Sequence, residues 1–211
     1  MSIRCIKCFR PLKSCYCSQI TPVDTGIKFI FLMHPAEAYQ QKTGTGRLAS
    51  LSLLNSEIIV DKSFDNNQRA QELISDPSYY PVMLYPGKDA ASAGSADFKS
   101  VLKNKKLLIF LLDATWRQAR KMMYMSLSLQ KLPRLSFTAA YRSAYKFKTQ
   151  PAPYCLSTIE SAYYLIRELQ EAYICSPDIN AQGLIDVFDS MVRFQIESKR
   201  NRLTGSAIKT C

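Results

Sequence analysis

The chain has 211 residues, 47% of them apolar, enough for one good core and a small appendage. No apolar run approaches the roughly 20 residues that cross a bilayer, and the first residues lack the apolar centre of a secretion signal, so a cytoplasmic protein with no membrane partner is expected. The formal charge of +11 favours a polyanionic partner, nucleic acid before membrane; the plain alternative is a soluble protein that is merely basic.

Four of the seven cysteines, Cys5, Cys8, Cys15 and Cys17, crowd into the first segment. In a reducing compartment, clustered cysteines are more often metal ligands than disulfides. The spacing is Cys-x2-Cys, six residues, then Cys-x-Cys. The first pair matches a zinc knuckle, and the tighter second pair can still reach a tetrahedral ion at about 2.3 Å per Zn–S bond. Four thiolates leave no open position, so a structural Zn is expected, with an iron–sulfur cluster as its rival. Lys7, Arg10 and Lys13 would offset the thiolate charge and offer a second basic surface. Residues 1–25 then form a zinc knuckle ahead of a main unit at 26–211. Cys155, Cys175 and Cys211 are scattered and read as ordinary thiols.

Strands and helices alternate beyond the knuckle. Lys28–Met33 reads as a strand ending at His34-Pro35, and a helix runs from Gly44 through Leu54. Glu57–Val60 is a strand, 66–75 a helix, and Pro81–Tyr85 a strand ending at Pro86-Gly87. Lys88–Ser95 is a loop of small residues. Leu107–Leu112 is the fourth strand, Arg117–Leu129 a helix, and Leu135–Phe137 a short fifth strand. Ser157–Ala172 and Asn180–Arg200 read as helices. This alternation predicts an α/β fold with a mainly parallel sheet and helices on both faces.

Gly44-x-Gly46-x-x-Ala49 matches a loose dinucleotide fingerprint, with Asp61 or Asp65 in range for a ribose. That fingerprint should follow its strand directly, and here ten residues intervene, so a nicotinamide site is not expected. His34 is the sole histidine. No Ser/His/Asp or Cys/His set can be built on it, and a structural role is expected.

The most informative stretch is Leu107–Lys121. Six apolar residues run into Asp113-Ala114-Thr115-Trp116, followed by Arg117, Arg120 and Lys121 at helical spacing. Such a run suits a strand buried on both faces. An Asp at its carboxyl end sits where open α/β sheets bind ligands, or serves only to cap the next helix. From Ala114 to Ile159 there is no Asp or Glu. The interval carries Arg117, Arg120, Lys121, Lys131, Arg134, Arg142, Lys146 and Lys148, interleaved with aromatics, as phosphate contact plus base stacking requires. Downstream, Ser157 or Thr158 can cap a helix that has Glu160 in its first turn.

Together these segments resemble the DTW-domain family, the tRNA-uridine aminocarboxypropyltransferases. The resemblance covers nearly the whole chain. It rests, in the family's order, on the four-cysteine knuckle, Met33-His34-Pro35-Ala36-Glu37 leading to Thr43-Gly44-Thr45-Gly46-Arg47-Leu48, Leu84-Tyr85-Pro86-Gly87, Asp113-Ala114-Thr115-Trp116, and Leu156-Ser157-Thr158-Ile159-Glu160. Two departures stand out. Ala114 is inserted into what is often Asp-Thr-Trp, and Gly44 stands where many members have Asn, so no side-chain contact is expected there.

The resemblance implies a SPOUT-like fold with a trefoil knot toward the C-terminal part of the sheet. It also implies transfer of the 3-amino-3-carboxypropyl group from S-adenosylmethionine to N3 of a tRNA uridine. The donor is expected among Leu84, Tyr85, Pro86, Gly87, Leu112, Asp113, Ala114, Thr115, Leu156, Ser157 and Thr158, whose backbone groups at strand and helix ends can read it. Asp113 is the available base for the N3 proton, and burial raises the pKa of a carboxylate and so its basicity, which suits that role. The tRNA is expected against Arg47, Arg117, Arg120, Lys121, Arg134, Arg142, Lys146 and Lys148. Two other readings share these residues: a non-catalytic zinc-containing RNA-binding protein, and a SPOUT-type RNA methyltransferase that presents a different donor carbon.

Overall fold

A computed structural model describes residues 3–39, 44–102, 105–145 and 155–204. Five strands form one sheet: β1 Lys28–Met33, β2 Ser56–Val60, β3 Tyr79–Leu84, β4 Lys106–Asp113 and β5 Arg134–Leu135. The helices are α1 Pro35–Tyr39, α2 Gly46–Leu51, α3 Gln68–Ser75, α4 Ala96–Val101, α5 Trp116–Tyr124, α6 Leu127–Gln130, α7 Thr158–Glu171 and α8 Gln182–Thr204. The order across the sheet is β2-β1-β4-β3-β5, and every adjacent pair is parallel.

β4 is central and β1 lies against it, which explains their unbroken apolar sequence. Both faces of these strands are covered. Phe29, Phe31, Ile109 and Leu111 pack with Leu48 of α2, Ile159 and Leu165 of α7, and Phe188 of α8. The alternate residues Ile30, Leu32, Leu108 and Phe110 pack with Ala70 of α3, Met122 of α5 and Leu129 of α6. Phe29, Phe31 and Phe110 are completely buried, and each contributes roughly 1.5–3 kcal/mol through loss of water contact. The expected α/β sheet with helices on both faces is present. The cysteine segment joins the first of these cores through Cys8 and Tyr16, with the Tyr16 ring 6.4 Å from Phe194 of α8.

Several boundaries differ from the sequence reading. β3 begins at Tyr79, so Pro81 lies mid-strand. Pro81 is tolerated because β5 pairs with β3 only at Met83 and Leu84, leaving that edge open beside the proline. The single helix expected over Arg117–Leu129 is two. Asp65 accepts from Leu127 N at 2.9 Å and Ser128 N at 2.8 Å, and so starts α6 afresh. α1 and α4 were not expected. α4 starts where the Ser95 hydroxyl accepts from Phe98 N, and Phe98 anchors it in the core. Among the described residues no helix is long and apolar enough to cross a membrane.

Candidate functional site

β1 leads to β2 on one side of the sheet, and β4 leads to β5 on the other. Loops leaving the carboxyl ends of these neighbours therefore diverge, and a crevice opens where the strand order reverses. A cleft of about 520 Å³ occupies that position. Its walls are the segments after β3, β4 and β5, the return of the chain into α7, and Glu37 and Thr45 from the β1 side. Of the residues expected at a donor site, Leu84, Tyr85, Pro86, Leu112, Asp113, Ala114, Thr115, Leu156, Ser157 and Thr158 all line it. Gly87 does not. It abuts the Arg134 guanidinium, where a Cβ would come within 2.9 Å of Nη1.

Asp113 is the last residue of β4, paired in register with Met33, and is 4% exposed. Its carbonyl accepts from His34 N at 3.0 Å, joining the ends of β1 and β4. It does not cap the following helix. Thr115 does, in a reciprocal box with Gln118. The Asp113 carboxylate turns to the other side of the cleft, where Oδ1 accepts from the Thr158 hydroxyl at 2.6 Å. Its Oδ2 lies against Gly46, the first residue of α2. One carboxylate thus joins the ends of β4, α7 and α2, residues far apart in sequence.

Two buried glutamates of α7 hold the wall after β5. Glu160, 1% exposed, accepts from Ser143 Oγ and Ala144 N at 2.7 Å each, and from Ser157 N and Oγ at the start of α7. Glu168, 4% exposed, accepts from Thr138 N at 2.9 Å and from its hydroxyl at the same distance. Between these anchors Tyr141 stacks on Tyr164 at 4.0 Å, and Tyr145 packs on Phe188. Burial, and then the Glu168 charge, push the Tyr141 phenol up to about 12, so it presents a neutral ring and hydroxyl to the cleft. Glu37, Thr45, Trp116, Tyr141 and Tyr145 also line the cleft; the sequence assigns none of them to a donor site and reads Trp116, Tyr141 and Tyr145 as aromatics for base stacking. Glu37 and Thr45 had a signal in the segments at 33–37 and 43–48. The tyrosines stand out only as aromatics among basic residues; their place in the cleft follows from long-range contacts with Tyr164 of α7 and Phe188 of α8.

The four clustered cysteines meet. Their sulfurs lie within 4.8 Å of one another, with Cys5–Cys17 and Cys8–Cys15 each 3.7 Å apart. A tetrahedral ion with 2.3 Å bonds requires sulfurs about 3.8 Å apart. Cys5 through Cys17 are free thiols, and the donor set fits a metal ion. Backbone N–H groups of Cys8 and Lys7 hold the Cys5 thiol down to about 6, whereas burial and neighbouring sulfur push Cys17 up. Four sulfurs this close cannot all ionise without a cation among them. Arg10, expected as surface charge, is instead buried, donating to Gly44 O at 2.7 Å. It is withdrawn from any external basic surface.

Arg117, Arg120, Lys121 and Arg142 are exposed. Trp116 and Tyr124 stand on the same helix, α5, 36% and 82% exposed. Arg47 and Arg134 are half-buried. Arg47 donates to Ala38 O and lies 4.4 Å over Phe9, and Arg134 lies 5.7 Å over Tyr85. Lys146 and Lys148 lie outside the described residues, as do Thr43, Tyr154 and Cys211. His34 Nδ1 accepts from Ala36 N at 3.1 Å at the start of α1.

A parallel α/β domain with a ligand cleft at its strand ends and a four-cysteine metal-type cluster is the class this geometry defines. The chain belongs to the DTW domain family, whose signature matches residues 2–196. It is 26% identical over 202 residues to the tRNA-uridine aminocarboxypropyltransferase 2 of Drosophila melanogaster, covering 92% of this chain and 76% of that protein. It is 24% identical over 170 residues to the macaque (Macaca fascicularis) protein of the same name, and 26% over 171 residues to that of Mus musculus. The latter two matches each cover 79% of this chain, which spans 56% of the length of either relative. No solved structure matches.

Proposed function

We propose that the chain transfers the 3-amino-3-carboxypropyl group of S-adenosylmethionine to N3 of a uridine in tRNA. The observation that carries this reading is the placement of Asp113: buried, at the end of the central strand, beside a small-molecule cleft, with a basic and aromatic helix beginning next to it. The relatives' names support the coarser part of it, aminocarboxypropyl transfer to a tRNA uridine. A volume of about 520 Å³ is within the roughly 300–1,000 Å³ usual for small-molecule sites.

The donor's sulfonium makes three attached carbons electrophilic, so the product depends on which carbon faces the nucleophile. Uridine N3 carries a weakly acidic proton. As N3 bonds to the terminal methylene of the aminocarboxypropyl chain, the carbon–sulfur bond breaks and its electron pair stays on sulfur, leaving a neutral thioether. The N3 proton passes to the Asp113 carboxylate, which Thr158 orients. Holding base and nucleophile at near-attack distance supplies the other large part of the acceleration. Backbone groups of Leu84–Pro86, Leu112–Thr115 and Leu156–Thr158 bind the donor. Arg117, Arg120, Lys121 and Arg142 meet tRNA phosphates, and the sequence adds Lys146 and Lys148, which lie outside the described residues. Cys5, Cys8, Cys15 and Cys17 hold a structural zinc, which stabilises the 1–25 segment and takes no part in transfer.

The SPOUT-like reading, with a trefoil knot, belongs to this proposal. What supports it is that segments on either side of residues 146–154, Ser136–Tyr145 and Leu156–Thr158, both line the cleft at the strand ends, Thr158 against Asp113. A cytoplasmic location accords with a tRNA substrate. The deciding experiment is mass analysis of nucleosides from tRNA incubated with the protein and S-adenosylmethionine. A uridine heavier by one aminocarboxypropyl group is expected. A methylated uridine would make the chain a methyltransferase, and unmodified RNA that is nevertheless bound would make it a binding protein.

A further inference from the structure

Arg10 belongs by sequence to the cysteine segment, but its side chain leaves it. The residue is 5% exposed. Nη2 donates to Gly44 O at 2.7 Å and lies 3.1 Å from Met191 Sδ, while the guanidinium sits 5.4 Å over the Tyr16 ring. Its own carbonyl accepts from Cys5 N at 2.8 Å, inside the loop that carries Cys5 and Cys8. Burying a cation is costly unless it is paired or well hydrogen-bonded. Here its strong bond is given to one backbone carbonyl, of a residue with no side chain of its own to hold the turn.

The turn at Gly44 leads straight into the cleft. Thr45 lines the cleft wall, and Gly46 abuts Oδ2 of Asp113. The Asp113 carboxylate is bounded on one side by the Thr158 hydroxyl, set by α7, and on another by the Gly46 backbone, reached through Arg10 from the cysteine loop. We propose that Arg10 is a positioning residue that fixes the Gly44–Gly46 turn against Asp113, and so ties the geometry of transfer to the cysteine loop. The inference rests on the transferase reading of the cleft.

The test uses the full chain with its metal as purified. Arg10→Met keeps the buried volume and removes the donors; Arg10→Lys keeps a cation but loses the planar fork. Arg10→Met is expected to lower the single-turnover rate at saturating tRNA and donor by about ten- to a hundredfold. KM for tRNA and metal content should stay near wild type, and amide exchange across residues 44–51 should quicken. Arg10→Lys should fall between. Met191→Leu changes the other partner of the same Nη2 and should leave the rate within about twofold. A wild-type rate in Arg10→Met overturns the inference, as does an equal loss in Met191→Leu. If Arg10→Met fails to fold, Arg10→Lys is read in its place, and unchanged rate and exchange overturn it. A wild-type chain that transfers nothing refutes the transferase reading instead, and exchange across residues 44–51 then judges Arg10 alone.

Discussion

Gly46 has no side chain at the point where Asp113 holds its carboxylate. A Cβ there would fall 2.5 Å from Asp113 Cγ, and nearer still to Oδ2. Glycine to alanine within a helix ordinarily stabilises by up to about 1 kcal/mol. At this position the sign should reverse, because Asp113 is short, buried and held by Thr158, so it cannot swing aside. Gly46→Ala is expected to lower the melting temperature and cut single-turnover transfer by about a hundredfold. An alanine variant that is stabilised and fully active would show the carboxylate to be free to move.

Asp113→Asn keeps the shape of the residue but not its basicity. Donor binding, read by calorimetry, should persist while transfer falls roughly 10²–10⁴-fold. Thr158→Val removes the hydroxyl 2.6 Å from Oδ1 and should lower stability by about 1–3 kcal/mol. Its rate should fall less than that of Asp113→Asn, because the carboxylate remains. Near-normal turnover in Asp113→Asn would reduce Asp113 to a structural link between β4 and α7.

Much of this site is legible in the amino-acid order alone. The apolar run into Asp113 marks a strand covered on both faces, and β4 is that strand, with a cleft at its end. Ser157 and Glu160 announce the start of α7, and the box is present. The cysteine spacing announces a cluster, and the sulfurs meet. What local pattern could not give depends on partners distant in sequence. The break between α5 and α6 needs Asp65, and Phe64 N, which donates to Ser126 Oγ at 3.0 Å. The wall after β5 needs Glu160 and Glu168 from α7. Arg10 reads as a surface cation because nothing nearby in sequence announces Gly44 and Met191.

A metal held by the four cysteines would be coupled to the fold through Cys8, which is 3% exposed and packed in the same core as α7 and α8. Cys8→Ser should lower metal content from about one zinc per chain and lower the melting temperature together. Strong chelators should lower the melting temperature of the wild type and leave that of the serine variant little changed. Full metal content in Cys8→Ser would exclude the four-sulfur site.

His34 should give the fold a pH dependence of known sign. Burial first, then Lys62 and Lys121, lower its pKa from 6.5, and its Nδ1 accepts from Ala36 N. The folded form therefore binds fewer protons than the unfolded one. This contribution is present above pH 6.5 and is lost as pH falls through the lowered folded value. The lowered carboxylates Glu57, Asp65 and Asp76 act only below their ordinary values of 4.5 and 3.8, so among these four side chains His34 is the first to lose its contribution on acidification; the lowered Cys5 thiol acts already between pH 9 and about 6 and is common to wild type and variant. His34→Asn keeps a short acceptor for Ala36 N and does not titrate. Denaturant unfolding between pH 6.5 and 5 should show a slope in the wild type that the variant lacks.

The basic face is the last feature with a sharp test. Arg120 and Arg142 are exposed, whereas Arg47 and Arg134 are engaged in packing. Cations that neutralise phosphates release counterions, so tRNA binding should weaken steeply with salt. Removing one phosphate contact flattens the log–log salt slope by about one unit, so Arg120→Ala/Arg142→Ala should flatten it by about two. Donor affinity should not change, because neither side chain lines the cleft. Arg134→Ala should behave differently: its loss frees the Tyr85 ring and Gly87 beside the donor segment, so donor affinity should fall with little change in salt slope. Unchanged tRNA affinity and slope in the double variant would make this face a solvated surface. The RNA contact would then move to the other exposed cations, with Arg10 excluded by its burial.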